Sequence, residues 1–167
     1  GGLHGVGVSC VNALSTTLTA EICREGKIWR QVYHKGIPAG DVEIVGETER
    51  TGTTITFKPD DTIFYVTEYN YDVLSTRLRE LAYLNKRIRL SITDKRVVNP
   101  ETSEPRQEVF YSEYGLREFV AYLDANREKL IEDTIDITTE KNGIPIEVAL
   151  RYNTGFSENV FSFLNIS

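Results

Sequence analysis

The spacing of apolar residues changes along this chain, and the change limits the folds that it can adopt. Apolar and polar residues alternate in several short stretches between Leu18 and Phe57, which is typical of half-buried strands. From Tyr71 the spacing becomes helical, and further strand-like stretches and a second helical pattern follow. The sequence therefore predicts an α+β chain whose first half contains a run of antiparallel strands.

Turn and capping residues divide these patterns into elements. Glu25-Gly26-Lys27 predicts a hairpin turn, and Asn142-Gly143 is a strong signal for a second one. Asn70 or Thr67 can cap a helix that begins near Tyr71. We expect helices that start near Val8, Tyr71 and Leu116, and strands at 18–23, 28–33, 42–45, 53–57, 87–92, 108–111, 136–140, 145–152 and 159–164.

The first seven residues are rich in glycine and lead directly into a predicted helix. Val8, Val11, Leu14 and Leu18 recur there at helical spacing. Glycine tolerates positive φ and lets the backbone approach a ligand, and the first helical turn offers unpaired N–H groups at the positive end of the helix dipole. This combination predicts an anion site, most often for phosphate, although a glycine-containing helix start without a ligand is also compatible with the pattern.

The spacing of this segment does not match the two best-known phosphate motifs. The lysine and Ser/Thr of the Walker A pattern are absent, and the dinucleotide fingerprint requires a preceding strand. The spacing alone therefore does not choose between phosphate binding and a simple turn.

Composition narrows the class of protein. The 167 residues are 40% hydrophobic and 26% charged, with a net charge of −6, which argues against a general DNA-binding surface. The basic run from Arg77 to Arg96 is interpreted as a solvated surface. No apolar stretch approaches the length of a membrane span, and there is no signal-peptide pattern. We expect a cytoplasmic protein. Because no methionine is present, we also expect the sequence to be cut from a longer chain.

Metal chemistry is not predicted. His4, His34, Cys10 and Cys23 lack the pair spacing of metal ligands, and the two cysteines are interpreted as reduced.

Acid–base and nucleophilic catalysis are not predicted either. Asp60-Asp61 and the acidic residues of 47–49 lie beside turns, where solvated carboxylates are common. Ser9 lacks the Gly-x-Ser-x-Gly context of a nucleophile and is interpreted as a hydroxyl that bonds the local backbone.

The literal sequence is more specific than its spacing. Residues 1–15, GGLHGVGVSCVNALS, resemble the third nucleotide-binding motif of the B subunits of type IIA DNA topoisomerases. Residues 24–27, 46–53, 78–85, 94–96 and 147–159 also resemble stretches of these subunits, in the same order. The similarity covers the whole chain and is closer to the gyrase branch than to topoisomerase IV. Heat-shock chaperones, histidine kinases and mismatch-repair ATPases share only the glycine motif.

This resemblance implies a fold and a domain organisation. Residues 1–111 would form the C-terminal part of a Bergerat-type ATPase domain, which is an α/β sandwich. Residues 112–167 would begin an α+β transducer domain similar to a ribosomal-protein fold.

The resemblance also implies a set of ligand-binding residues. Thr53 is similar to a threonine that forms a hydrogen bond in the adenine pocket, alone or through water. Arg24 is similar to an arginine at the rim of that pocket. A threonine at a strand start is placed to reach a ligand but is also simply a good strand residue. The residues that would wrap the phosphates, mainly through backbone N–H groups, are Leu3, His4, Gly5, Val6, Gly7 and Val8.

The implied function is that of the ATP-binding subunit of a type IIA DNA topoisomerase, which couples ATP binding and hydrolysis to DNA strand passage and supercoiling. Its implied partners are ATP, Mg²⁺, the gyrase A subunit, a second B subunit and duplex DNA. The family's general base, metal ligand, adenine-reading aspartate and phosphate-sensing lysine lie outside this sequence, so we expect the chain alone not to hydrolyse ATP. The alternatives are a non-catalytic phosphate-binding scaffold and a chaperone or repair ATPase.

Overall fold

The structure is a computed structural model that describes residues 5 to 163. It is mixed, with 19% helix and 40% strand, which confirms the predicted α+β class. The chain forms two compact units, one ending at Glu68 and the other beginning at Tyr69. In the described range, none of the helices combines the length and apolar character that a membrane span requires.

The first unit is a helix followed by a five-stranded antiparallel sheet. β1 pairs with β2 on one side and with β5 on the other, while β2 also pairs with β3 and β4. The predicted hairpin at Glu25-Gly26 is confirmed. The elements are α1 (Val6–Ala13), β1 (Ser15–Arg24), β2 (Lys27–His34), β3 (Ile37–Pro38), β4 (Glu43–Glu47) and β5 (Gly52–Pro59).

One face of this sheet is apolar because the alternation in β1 matches that of its neighbours. Leu18 lies opposite Phe57 in β5 and Tyr33 in β2, and Ala20 lies opposite Ile55. Cross-strand partners point to the same face, so these side chains form one surface. Leu18 is only 3% exposed and lies at the centre of that surface.

Leu18 fits both the helical and the alternating pattern, and the structure resolves the overlap. The helix ends at Ala13, and Leu18 belongs to β1. The helical interpretation is therefore wrong for Leu18, because pairing with strands on both sides determines its conformation.

The second unit contains two helices and two hairpins. β6 pairs with β7, and β8 pairs with β9. The predicted turn between β8 and β9 is confirmed, with positive φ at Asn142 (55°) and Gly143 (77°). The elements are α2 (Tyr71–Leu84), β6 (Leu90–Val98), β7 (Pro105–Phe110), α3 (Leu116–Leu123), β8 (Ile135–Lys141) and β9 (Ile144–Leu150).

The start of α2 follows the sequence prediction. Asn70 is the N-cap, and its side-chain oxygen accepts a hydrogen bond from the Val73 N–H at 3.1 Å. A cap of this kind satisfies one of the backbone donors that a helix start leaves unpaired.

Aromatic rings and an ion pair hold α2, β7 and α3 together. Tyr83 of α2 stacks on Phe119 of α3, with ring centroids 5.2 Å apart. Arg79 of α2 lies 3.0 Å from the Glu108 carboxylate of β7 and donates a hydrogen bond to the Tyr122 hydroxyl of α3. The second unit is therefore organised around the inner face of α2.

The bounds of several predicted strands differ from the structure, and two of these differences have a clear physical reason. The strand expected at 87–92 begins at Leu90, because Arg87 adopts positive φ (65°). The strand expected at 159–164 is wrong for residues 159–163, and Leu164 lies outside the described residues. Phe161 and Phe163 instead place their rings 6.4 and 5.9 Å from that of Phe119. Alternation records which side chains face the core, but a strand also needs a neighbour to pair with.

The cap of α2 gives a stability prediction. Asn70→Ala should lower the free energy of unfolding by about 1 kcal/mol, because the Val73 N–H loses its acceptor. Chemical denaturation followed by circular dichroism measures this change. Thr67→Ala is the control, since Thr67 is the alternative cap in the sequence and its loss should cost less than about 0.5 kcal/mol. Equal losses in both variants would contradict the assignment of the cap.

Candidate functional site

The start of α1 has the geometry of an anion site. Gly5 is the N-cap and adopts a left-handed conformation with φ 78° and ψ −1°. It contributes no capping side chain, and the first turn of the helix carries no acidic residue. A Cβ added at Gly5 would meet no atom within 4 Å, and residues 5–10 are exposed. Among the described residues, the first turn of α1 is exposed, and its N–H groups lie at the positive end of the helix dipole.

The structure places the start of the helix earlier than the sequence predicts. The helix begins at Val6 instead of near Val8, so Gly7 lies inside the helix and Val8 follows it there. The positive φ that favours glycine occurs at Gly5. Leu3 and His4, which the sequence assigns to this site, lie outside the described residues.

Arg24 and Thr53 lie close together on neighbouring strands. Thr53 of β5 pairs with Ile22 of β1, and Arg24 is two residues beyond Ile22. Because side chains alternate along a strand and paired residues share a face, Arg24 and Thr53 project from the same face of the sheet. This is the face that carries Leu18, and it is apolar there. Thr53 is exposed, and the Arg24 side chain is 74% exposed with its Nε 3.0 Å from a Glu25 carboxylate oxygen.

The C-terminal end of α1 leads into one end of β1, and Arg24 and Thr53 lie near the other end. Ser15, which follows α1 closely, pairs with Pro59, whereas Ile22 near the other end pairs with Thr53. The structure thus brings Arg24 and Thr53 together and attaches the helix to the sheet at the opposite end of the strand. Backbone donors, a guanidinium and a hydroxyl are groups that bind an anionic, hydrogen-bonding ligand.

One buried charge beside α1 was not predicted. The interpretation of Asp60-Asp61 as solvated carboxylates is right for Asp61, which is exposed, and wrong for Asp60, which is 0% exposed. The Lys35 ammonium lies 2.8 Å from Asp60 Oδ2, and Thr62 donates its N–H and its hydroxyl to Oδ1. The spacing of Asp60 and Thr62 is a recognisable Asx-turn signal, but Lys35 is remote in sequence.

These partners also change the acidity of Asp60. The hydrogen bond from Lys35, followed by those from the hydroxyl and N–H of Thr62, lowers the pKa of Asp60 from its ordinary value of 3.8 to about 2. All of these groups favour the charged carboxylate. Asp60 is therefore ionised at neutral pH, and it remains so in moderately acidic solution.

The other candidate ligands that the structure describes are Cys10, Cys23 and His34. Among residues 5 to 163, no three histidine, cysteine, aspartate or glutamate side chains cluster closely enough to hold a metal ion. Cys10 and Cys23 are free thiols, and His34 is exposed on β2.

Comparison with known proteins gives a consistent result. The family model described as DNA gyrase B matches residues 115–167. The chain is 56% identical over 165 residues to a DNA gyrase B protein of Eisenibacter elegans, covering 99% of this chain and 34% of that protein. It is 51% identical over 166 residues to a DNA gyrase B protein of Halalkalibacterium halodurans, covering 99% of this chain and 25% of that protein.

A solved structure shows the same fold. The 43K ATPase domain of Thermus thermophilus gyrase B, crystallised with an aminocoumarin, superposes with a TM-score of 0.79 at 33% identity. The match covers 92% of this chain and 41% of that one. The predicted ATPase-domain fold is therefore confirmed, and the chain spans about a third of the length of the first relative.

The buried carboxylate predicts a specific pH dependence. Because an unfolded aspartate binds a proton near pH 3.8 and folded Asp60 only near 2, its stabilisation is complete above about pH 4 and disappears as the pH falls through about 2. The difference in free energy of unfolding between wild type and Asp60→Asn should therefore shrink as the pH falls from about 5 to 2. Urea titrations at several pH values measure it, and Asp61→Asn is the matched control. A difference that stays constant over this range would contradict the assignment.

Proposed function

The chain belongs to the DNA gyrase B family, and we propose that it carries the part of the gyrase B protein that holds the triphosphate of ATP. The observation that carries this proposal is the exposed helix start at Gly5, which adopts the left-handed conformation and has no capping side chain. The sequence that forms it, GGLHGVGVSCVNALS, is also the stretch that most resembles a nucleotide-binding motif of the family.

The proposed phosphate-binding residues are those of the opening segment. Gly5 supplies the left-handed turn that ends the loop, and Val6, Gly7 and Val8 supply N–H groups in the first helical turn. Recognition through the backbone explains why two of these residues can be valine. Leu3 and His4 are included from the family resemblance alone.

We further propose that Thr53 forms a hydrogen bond in the adenine pocket and that Arg24 lies at the rim of that pocket. Their shared position on the apolar face of the first sheet supports this assignment, because a flat apolar surface suits a planar base. Ile22 and Trp29, which pair across β1 and β2, extend the same surface beside them.

The domain boundary is also a proposal. Residues 1–111 would belong to the ATPase domain and residues 112–167 to the transducer domain. The family match that begins at residue 115, where α3 starts, supports a boundary at this place. The division after Glu68 groups residues by their contacts within the chain, so it does not mark the boundary between the two domains of the family.

For the whole protein we propose ATP-dependent type IIA topoisomerase activity in the cytoplasm. Its partners would be a gyrase A subunit, a second B subunit and duplex DNA. Mg²⁺ would accompany ATP through ligands outside this sequence, and the chain alone would bind without hydrolysing. The alternatives of a scaffold, a chaperone or a repair ATPase are not favoured, because the relatives described above are gyrase B proteins.

The phosphate site is tested by replacing its turn glycine. In a protein of the relatives' full length, Gly5→Val should weaken binding of a non-hydrolysable ATP analogue at least about tenfold, because a β-branched residue resists positive φ. Isothermal titration calorimetry measures the change.

Gly143→Val is the matched control for this test. Gly143 has nearly the same φ, 77°, and also has open space around it, but it lies in the β8–β9 turn. It should bind the analogue as wild type does. Unchanged affinity in a folded Gly5→Val protein would refute the proposed site.

A further inference from the structure

The C-terminal end of α1 is held by two segments that are distant in sequence. The Asp60 N–H donates to the Leu14 carbonyl at 3.0 Å, and the Lys35 N–H donates to the Ser15 carbonyl at 3.1 Å. Leu14 and Ser15 directly follow the last residue of the helix, Ala13. The same two residues, Asp60 and Lys35, therefore bond the end of α1 through their backbones and each other through their side chains.

The turn that carries Lys35 also packs against the helix. Lys35 and Gly36 both adopt positive φ, 50° and 83°. A Cβ added at Gly36 would lie 3.3 Å from the Cα of Ala13, so the backbone of this turn lies against the last residue of α1. Nearby, the buried Ser15 hydroxyl donates to the Val11 carbonyl at 2.6 Å. The end of α1 is thus held by both remote segments and by a local hydrogen bond.

The start of the same helix lacks comparable support among the described residues. None of the residues in α1 is buried, and those up to Cys10 are exposed. A helix of eight residues is about 12 Å long, so a rotation of about 10° about its fixed end would move its start by about 2 Å. A displacement of that size exceeds the tolerance of an N–H···O hydrogen bond.

We infer that the ion pair between Asp60 and Lys35 positions α1 so that its first N–H groups meet the phosphates. Both are positioning residues, since they act through the helix and not on the ligand. The inference rests on the proposed ATP site. Asp60 is enclosed and Lys35 is its ion-pair partner, so removing the cation leaves a buried charge without its partner and loosens the two segments that hold the end of α1.

The test removes the cation and leaves the enclosed residue intact. In the full-length protein, Lys35→Met should raise the dissociation constant of a non-hydrolysable ATP analogue by about tenfold. Lys35→Arg keeps the charge and should restore the wild-type value, because the Lys35 side chain is 57% exposed and leaves room for a larger group. Asp60→Asn should weaken binding as Lys35→Met does, and the double variant should be no weaker than either single one.

Lys58→Met is the matched control. Lys58 also carries one positive charge, is exposed and lies on β5 two residues before Asp60. Its variant should bind as wild type. Hydrogen exchange in the nucleotide-free protein gives a second readout: amides of α1 should exchange faster in Lys35→Met and not in Lys58→Met.

The outcomes separate the inference from the function on which it rests. If the wild-type protein fails to bind the analogue, the proposed function is wrong. If wild type binds and folded Lys35→Met binds equally well, the positioning role is wrong. A loss in Lys35→Met that Lys35→Arg does not reverse, or an equal loss in Lys58→Met, would also overturn it.

Discussion

The pairing of β1 with strands on both of its sides is the constraint on which the first unit depends. One end of β1 receives α1 and pairs with Pro59, and the other end places Thr53 beside Ile22. A slip of one residue would turn every side chain of the strand to the opposite face. The register therefore determines two features together: Leu18 is buried, and Arg24 and Thr53 lie on the same face of the sheet.

The second unit depends on a different kind of contact, in which arginine side chains lie over aromatic rings and also form ion pairs. Arg106 lies over the ring of Tyr71 at 3.8 Å and pairs with Asp72 at 2.7 Å. Arg79 pairs with Glu108 while also lying over the ring of Phe110 at 5.2 Å. Guanidinium groups are weakly hydrated and stack readily on rings, so they can join a helix to a strand without the full cost of burying a charge.

The features that could be predicted from the sequence are those fixed by a few neighbouring residues. The Asn70 cap and the Asn142-Gly143 turn follow from local backbone requirements, and the alternation of β1 and β2 follows from a sheet with one apolar face. The burial of Asp60 was missed because its counter-charge, Lys35, precedes it by several strands. The absence of a strand at residues 159–163 was missed for the same kind of reason, since the position of Phe119 determines where those rings lie.

A site built from backbone donors depends less on the side chains beside the ligand than on the residues that fix the backbone. In the proposed phosphate site, Val6 and Val8 contribute N–H groups that almost any residue could supply, so their side chains carry little information about binding. The site requires a residue in the left-handed conformation at its start, and Gly5 meets this requirement. It also requires that the helix that follows be held in place. In the proposed arrangement, Asp60 and Lys35 meet the second requirement by holding the C-terminal end of α1, so the sequence that specifies the site includes positions that act through the helix and not on the ligand.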